Sequence, residues 1–481
     1  MKKRILSLLL IVSLFLAMFS TGTALAQDSS QANLSQPVIS DWALDDLIVG
    51  DQYGIYPIKW YYEVGINKPI TPAQLRVLMA GIRLKLIKTD CVTNANDVKY
   101  SLKNKMTVKD VLETFYTLIK SYEFNKDIGI VEGEKAVDFM AKTGIFTGKE
   151  GELSLKDVCT IEQACVIATR LVTYIYEVLD AASKGFLWEI NSGENTVYLL
   201  GSIHMATFDI YPISSKVLKA FKDSDVLCVE ADILNAQDDI LYLLLQYGYY
   251  TDGTTLKDHV PEEIYQKAVA AGAALGLTEE VVALMKPWYI YMAFSSYDTA
   301  VSLTEDEYLT SINLGIDTKF LTDAYLTGKP VIELEGLEFQ IKMLSSFSDE
   351  LQELLLESTL DSILESNQDS KTDNGEDIKL MLKYWHDGDV ESFLETVAPS
   401  LMMSELPVIS EEDKMALELF KEYKSKFITE RDKGMAEKID QFLKGEGSTT
   451  YFVVVGSLHY ISDYSIIDIL KDKGYEVNQI K

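Results

Sequence analysis

The chain carries only four histidines, His204, His259, His386 and His459, and two of them close the same phrase. The first phrase is Val197-Tyr-Leu-Leu-Gly-Ser-Ile-His204 and the second is Phe452-Val-Val-Val-Gly-Ser-Leu-His459. Each reads as an apolar strand followed by Gly-Ser, an aliphatic residue and His. Glycine at a strand end permits a sharp turn and close backbone approach. The serine can bond the turned backbone and the aliphatic residue can return to the core. The imidazole is then left at the C-terminal edge of the strand, where ligands gather in open α/β sheets. Two such strands side by side would bring two imidazoles together from opposite ends of the sequence, and paired imidazoles suit a borderline divalent metal such as Zn, Mn or Co. A site of this kind also wants a carboxylate. Glu230 ends the predicted strand Val226–Val229, where a third ligand or a general base would stand, and Asp232 follows two residues on. Two His and one carboxylate leave coordination positions open to water, the layout of a hydrolytic centre. His386 sits at a predicted helix C-terminus, where the dipole favours a cation. His259 precedes Val260-Pro261 in a loop-like stretch with no partner phrase. Neither is placed in the site.

The elements that must hold these residues fall in the second half of the chain. Phe186–Ile190 and Thr196–Leu200 read as two strands around the polar turn Asn191–Asn195, and Thr450–Val455 reads as a buried strand. Between the strands the pattern is mainly helical, at 213–222, 238–248, 262–275, 278–285, 315–327, 336–344, 348–364, 376–386, 389–396, 411–425 and 430–444. The polar stretch Ser366–Glu376 reads as an internal loop. Few strands and many helices predict α/β, with α+β as the alternative: a small mixed sheet covered by many helices, preceded by a mainly helical repeat domain.

At 481 residues two or three domains are expected. Lys2, Lys3 and Arg4, an apolar run from Ile5 to Phe19 and the closing Ala24-Leu25-Ala26 predict a secretory signal peptide over 1–26, cut before Gln27. A polar linker at 27–38, helical repeats at 39–184 and a second domain at 185–481 would follow. The expected location is the cell envelope or outside the cell, beyond the cytoplasmic membrane. Without the leader, 41 Lys+Arg face 74 Asp+Glu, a balance of −33. Such a surface repels nucleic acid and anionic lipid. The four cysteines, Cys91, Cys159, Cys165 and Cys228, match no zinc or redox spacing, and their pairing stays open. Cys228 falls within a predicted strand, as a small core residue.

Within 39–184 three Gly-Ile turns, at Gly54, Gly129 and Gly144, alternate with threonines that open amphipathic helices at Thr71, Thr107 and Thr160. A threonine at the N-cap accepts a backbone N–H, and Gln74, Asp110 or Gln163 lies three residues on. Pro72 falls at a first helical position, where its missing donor costs nothing. This stretch resembles S-layer homology repeats, clearest in Gly144-Ile-Phe-Thr-Gly148 and Thr160-Ile-Glu-Gln-Ala164. The resemblance implies attachment to a cell-wall polymer. Those modules usually carry Arg after the motif Thr, and here the position holds Pro72, Val108 and Ile161.

The second domain resembles the TraB/PrgY/GumN family, related to the Tiki metalloproteases, over most of 186–481. The phrases that carry the resemblance include Leu199-Leu-Gly-Ser-Ile-His204, Ser224-Asp225 leading into Glu230, Gly315-Ile-Asp317, Leu334-Glu335 with Gln340 beyond, Glu430-Arg431, and Val455-Gly-Ser-Leu-His459. It implies an exported or membrane-associated α/β domain in which His204, His459 and Glu230 bind a divalent metal, with Glu335 and Arg431 as further catalytic candidates. Arg431 would steady an oxyanion or pair with a site carboxylate; the plain alternative is a surface salt bridge. Family members often have Asn after this Arg, where the present chain has Asp432. The expected function is a metal-dependent hydrolase, a peptidase acting on extracellular peptides or proteins. The alternative is a non-catalytic protein that binds or sequesters a peptide or wall component.

Overall fold

The computed structural model describes residues 38–93, 100–148, 154–235, 237–301, 310–366, 374–401 and 410–481. The expected signal peptide and nearly all of the expected linker lie outside the described residues, as does the middle of the expected loop, 367–373. The chain divides into two compact units, Ser29–Ser183 with Phe208–Ser215, and Lys184–Thr207 with Lys216–Lys481. Among the described residues no helix is long and apolar enough to cross a membrane.

The first unit is helical. Its helices Pro72–Leu86, Val108–Ile119 and Ile161–Leu179 each open on a reciprocal cap, in which the threonine oxygen accepts the third backbone N–H and the Gln or Asp side chain returns to the threonine N–H. The segments that lead into these caps bond one another: Ile70 N–H donates to Cys159 O (2.9 Å) and Cys159 N–H to Met106 O (2.9 Å). Two short strands, β1 (Val92–Thr93) and β2 (Tyr122–Glu123), pair antiparallel. Gly54, Gly129 and Gly144 all have positive φ, as the Gly-Ile turns require. The buried Lys85 Nζ donates to the Phe208 and Tyr211 carbonyls at 2.5 and 2.9 Å, which ties the segment Phe208–Ser215 to this unit. All four cysteines are free thiols.

The second unit is α/β, as expected: a six-stranded mixed sheet flanked by many helices. Its strands are β3 (Phe186–Ser192), β4 (Asn195–Ser202), β5 (Val226–Val229), β6 (Val331–Glu333), β7 (Thr450–Gly456) and β8 (Asn478–Ile480), in the order β6-β5-β7-β4-β3-β8. The four strands from β6 to β4 run parallel, while β3 is antiparallel to both β4 and β8. The central strands are apolar, with Val197, Leu199, Leu200, Leu227, Phe452, Val453, Val454 and Val455 buried. Continuous apolar runs of this kind belong to strands covered on both sides.

Several elements of the second unit escaped the sequence reading, among them β6, β8 and the helices Pro287–Val301 and Ile466–Asp472. β6 and β8 are three residues each, too short to show a period. The helix Pro287–Val301 buries Trp288, Tyr289, Ile290, Tyr291 and Met292 in succession, so its opening turns have no polar face to produce a helical rhythm.

The first unit contains a carboxyl with an unusual charge state. Asp51 accepts hydrogen bonds from Tyr61 Oη at 3.0 and 3.2 Å, and burial pushes its pKa up from 3.8 to about 7, the phenol bonds opposing. A raised folded-state value means that the protonated form contributes stability below pH 4, and that this contribution is lost as pH rises through 7. The effect amounts to at most roughly 4 kcal/mol. Asp51→Asn is therefore expected to gain melting temperature relative to the wild type as pH rises from 4 to 8. A difference between the two chains that stays constant across that range in thermal unfolding would overturn the assignment.

Candidate active site

Three neighbouring parallel strands build the site. β7 lies between β5 and β4, with Val229 of β5 opposite Val454 and Ser202 of β4 opposite Gly456. The two Gly-Ser-aliphatic-His phrases thus run side by side, offset by one residue. Their turns are stitched together, because Ser457 donates both its N–H (3.0 Å) and its Oγ–H (2.8 Å) to Ser202 O. A side chain at Gly201 would stand 3.0 Å from Ser457 Oγ, so the glycine is what admits that serine. His204 follows β4, His459 sits in the short helix Leu458–Ile461 after β7, and Glu230 follows β5.

Each of these side chains is seated by a partner from elsewhere in the chain. Asp317, in the first turn of helix Ile316–Thr327, places Oδ2 2.6 Å from His204 Nδ1. That helix is pinned by Ile316 N–H to Ile203 O (2.9 Å), and a Cβ at Gly315 would come within 2.2 Å of His204 O. Asp432 Oδ1 lies 2.5 Å from His459 Nδ1, while His459 Nε2 faces Glu230 Oε1 at 3.9 Å. Glu230 Oε1 accepts Gly456 N–H (2.7 Å), and its Oε2 accepts Arg431 Nη2 (2.5 Å) and Gln340 Nε2 (3.2 Å). Arg431 also grips Glu335, through Nε at 2.9 and 3.0 Å and Nη2 at 2.8 Å. Glu335 and Gly336 in turn donate their N–H groups to Glu230 O. Arg431 and Asp432 are consecutive in the helix Glu430–Lys444, which continues directly from a π-helical turn at Ser425–Thr429. Such wide turns often occur where a helix must aim side chains at a site.

The cluster is almost dry: Arg431 is 2% exposed, Glu230 2%, His459 1% and Asp432 0%. In so low a dielectric the partners decide the charge states. For His204, burial disfavours the cation, but the charge and hydrogen bond of Asp317 and the charge of Glu230 outweigh it and raise the pKa above the ordinary 6.5. Burial would raise Glu230; Arg431, both imidazoles and the Gly456 N–H overcome it and hold the carboxyl below its usual range. Burial would also lower Arg431, but Glu335 and Glu230 raise it, so it stays a cation. Asp432 goes the other way, raised by burial against the pull of His459 and Arg431.

Of the residues singled out in the sequence, His459, Glu230, Glu335 and Arg431 are joined by direct contacts, while His204 contacts Asp317 and feels the charges of Glu230 and Arg431. Arg431 is no surface salt bridge. Its Nε and Nη2 are committed to two carboxylates, the pairing alternative to an oxyanion role. Asp317, Asp432 and Gln340 complete the cluster. Asp317 and Gln340 were visible only as parts of family-like phrases and Asp432 only as a departure, because no local pattern reveals which imidazole a distant carboxylate will meet. Asp232 is engaged at its edge, taking a hydrogen bond from Tyr325 Oη and giving its N–H to Glu333 Oε1 (2.7 Å). His386 contacts Asp387 at a helix end, and His259 stacks on Tyr250 and contacts Thr254.

Whether a divalent cation suits this set is a question of chemistry and spacing. Four buried carboxylates face one guanidinium and two imidazoles, an excess of negative charge unless protons or a cation offset it. Two ligands at about 2.0–2.2 Å from a shared ion lie at most about 4.4 Å apart, and His459 Nε2 and Glu230 Oε1 at 3.9 Å fall within that limit. Imidazoles whose other nitrogen faces a carboxylate are the usual form of metal-ligating histidine. The residues fit in these respects, although among the described residues no three His, Cys, Asp or Glu side chains are grouped so as to hold an ion.

The family model of the TraB/PrgY/gumN family matches residues 186–479, which contain every residue of the cluster. The chain belongs to that family. It is 30% identical to the uncharacterized protein YbaP of Escherichia coli K12 over 158 residues, 33% of this chain and 55% of that protein. It is 23% identical over 328 residues to a metalloprotease TIKI homolog of Nematostella vectensis, 62% of this chain and 67% of the relative. Metalloprotease TIKI1 of Xenopus tropicalis is 22% identical over 324 residues, 61% of each chain. The chain thus spans a little over half to two thirds of the curated relatives it matches. No solved structure matches.

Removing Arg431 would leave Glu230 and Glu335 buried without their cation. Arg431→Met is expected to cost roughly 3–5 kcal/mol, the range for breaking a buried pair from one side. Denaturant unfolding of the second unit checks this, and a loss below 1 kcal/mol would show that the pairing is incidental.

Proposed function

We propose that this chain is a divalent-metal-dependent hydrolase, a peptidase that acts on peptides or proteins outside the cytoplasmic membrane. The observation that carries the reading is the parallel pairing of β4 with β7, which runs the two Gly-Ser-aliphatic-His phrases side by side, with the second of them bonded to Glu230 through Gly456 N–H. The metalloprotease names of the TIKI relatives, aligned over three fifths of this chain, support the reaction class.

In this proposal His459, His204 and Glu230 hold the metal, which is zinc, manganese or cobalt. When bound, such an ion polarises a carbonyl and lowers the pKa of water. The protein's own contribution is charge and orientation. Glu230, held ionised by Arg431, acts as a fixed negative charge; with its pKa depressed and both oxygens occupied, it is a poor general base. Arg431 keeps Glu230 and Glu335 from repelling each other and fixes their spacing. Burial keeps these interactions strong by excluding solvent screening. We also propose that the first unit, with its three capped helices, attaches the protein to cell-wall polymer.

His204→Ala and His459→Ala are each expected to abolish uptake of zinc, manganese and cobalt while leaving the helical circular dichroism of the chain intact. Calorimetric titration reads this directly, and unchanged binding in both variants would reject the site. Incubating the metal-loaded wild type with a peptide library should yield cleavage that both variants lack. Peptide binding that survives chelation, with no cut in any peptide, would replace the enzyme by a sequestering protein.

A further inference from the structure

Two consecutive residues of one helix, Arg431 and Asp432, reach different members of the site. Arg431 Nη2 takes Glu230 Oε2 at 2.5 Å, and Asp432 Oδ1 lies 2.5 Å from His459 Nδ1. The circuit closes where His459 Nε2 faces Glu230 Oε1 at 3.9 Å. The ring is thus held at one nitrogen by an acidic side chain that is wholly buried, and presents the other nitrogen to the candidate metal position.

We propose that Asp432 is a positioning residue, which fixes the proton of His459 on Nδ1 and so turns a bare Nε2 towards Glu230. A carboxylate can only accept, so Nδ1, at hydrogen-bond distance from Asp432, must donate, whereas Glu230 Oε1 at 3.9 Å is too far from Nε2 to claim a proton there. With Nδ1 carrying the proton, the lone pair of the neutral ring resides on Nε2, the arrangement that second-shell carboxylates impose on metal-ligating histidines. An asparagine of the same shape would not impose this, since its amide can offer either an oxygen or an N–H to the ring. At the other phrase Asp317 Oδ2 lies 2.6 Å from His204 Nδ1. The inference rests on the proposed metal site only for what Nε2 does; the tautomer itself requires no metal.

The test uses the full chain labelled with [15N]histidine. The four ring signals are assigned by single His→Gln variants and read in long-range 1H–15N spectra at a pH where the His459 ring is neutral. The wild type is expected to show His459 protonated on Nδ1 and bare on Nε2, and Asp432→Asn to shift the ring towards the other tautomer. Zinc titration of the same samples should show binding roughly 10–100-fold weaker in Asp432→Asn, as loss of such a partner commonly gives. A wild-type ring that is bare on Nδ1 overturns the proposal, and so does a variant with wild-type tautomer and zinc affinity. If Asp432→Asn fails to fold, the wild-type spectrum decides alone. Zinc that fails to bind a wild type with the expected tautomer overturns the metal reading and leaves the positioning role standing.

Discussion

Arg431 is pressed between Glu230 and Glu335 with almost no exposure to solvent, and the architecture of the site follows from that placement. A guanidinium taken out of water loses solvation worth several kcal/mol, and only close, multiply bonded carboxylates offset the loss. Arg431 has them, through Nε and Nη2 together, and a planar fork is well suited to the task. Once its position is set, the following residue has no freedom either. Asp432 is delivered to His459 by the same helical turn, so one short stretch of chain orients an acid and a base from different strands.

The sheet supplies the other half of the constraint. Because β5, β7 and β4 are adjacent and parallel, their C-terminal ends open on the same edge, and three chain segments distant in sequence emerge together there. A one-residue slip of β4 on β7 would break both bonds from Ser457 to Ser202 O and reverse which residues face the core. Gly315 adds a steric condition. Its lack of a side chain allows helix Ile316–Thr327 to approach the His204 backbone closely enough for Asp317 to meet the ring.

How much of this could be read in the sequence depends on the range of each interaction. The three helix caps of the first unit are local, and Thr71, Thr107 and Thr160 announced them through a residue three positions on. The adjacency of the strands that precede His204, His459 and Glu230 is not local, but a repeated strand-turn phrase implies strands at one sheet edge, and a third strand ending in an acid belongs beside them. Asp317 and Asp432 left no comparable sign. Both are single carboxylates in helical first turns, where aspartate is common for reasons of capping and dipole alone. The helix Pro287–Val301 was hidden for the opposite reason: its opening turns, Trp288 to Met292, are buried all round and carry no polar rhythm. Periodicity reports a boundary between core and water, so it fails where an element touches no water.

These contacts also divide the labour among the acidic groups. Glu230 accepts three hydrogen bonds and is held ionised, which suits a permanent charge and works against shuttling a proton. Glu335 is likewise committed to Arg431 and Gln340. Asp317 and Asp432 face imidazoles instead, and their part is to orient. Four acids therefore serve as two anchors for one guanidinium and two guides for two rings. With neutral rings the buried set would carry a net charge of −3 in a medium that screens poorly. Positive charge, from a proton or a metal ion, would offset that excess. In the proposed site the excess acid does not itself perform the chemistry; it creates a demand for positive charge.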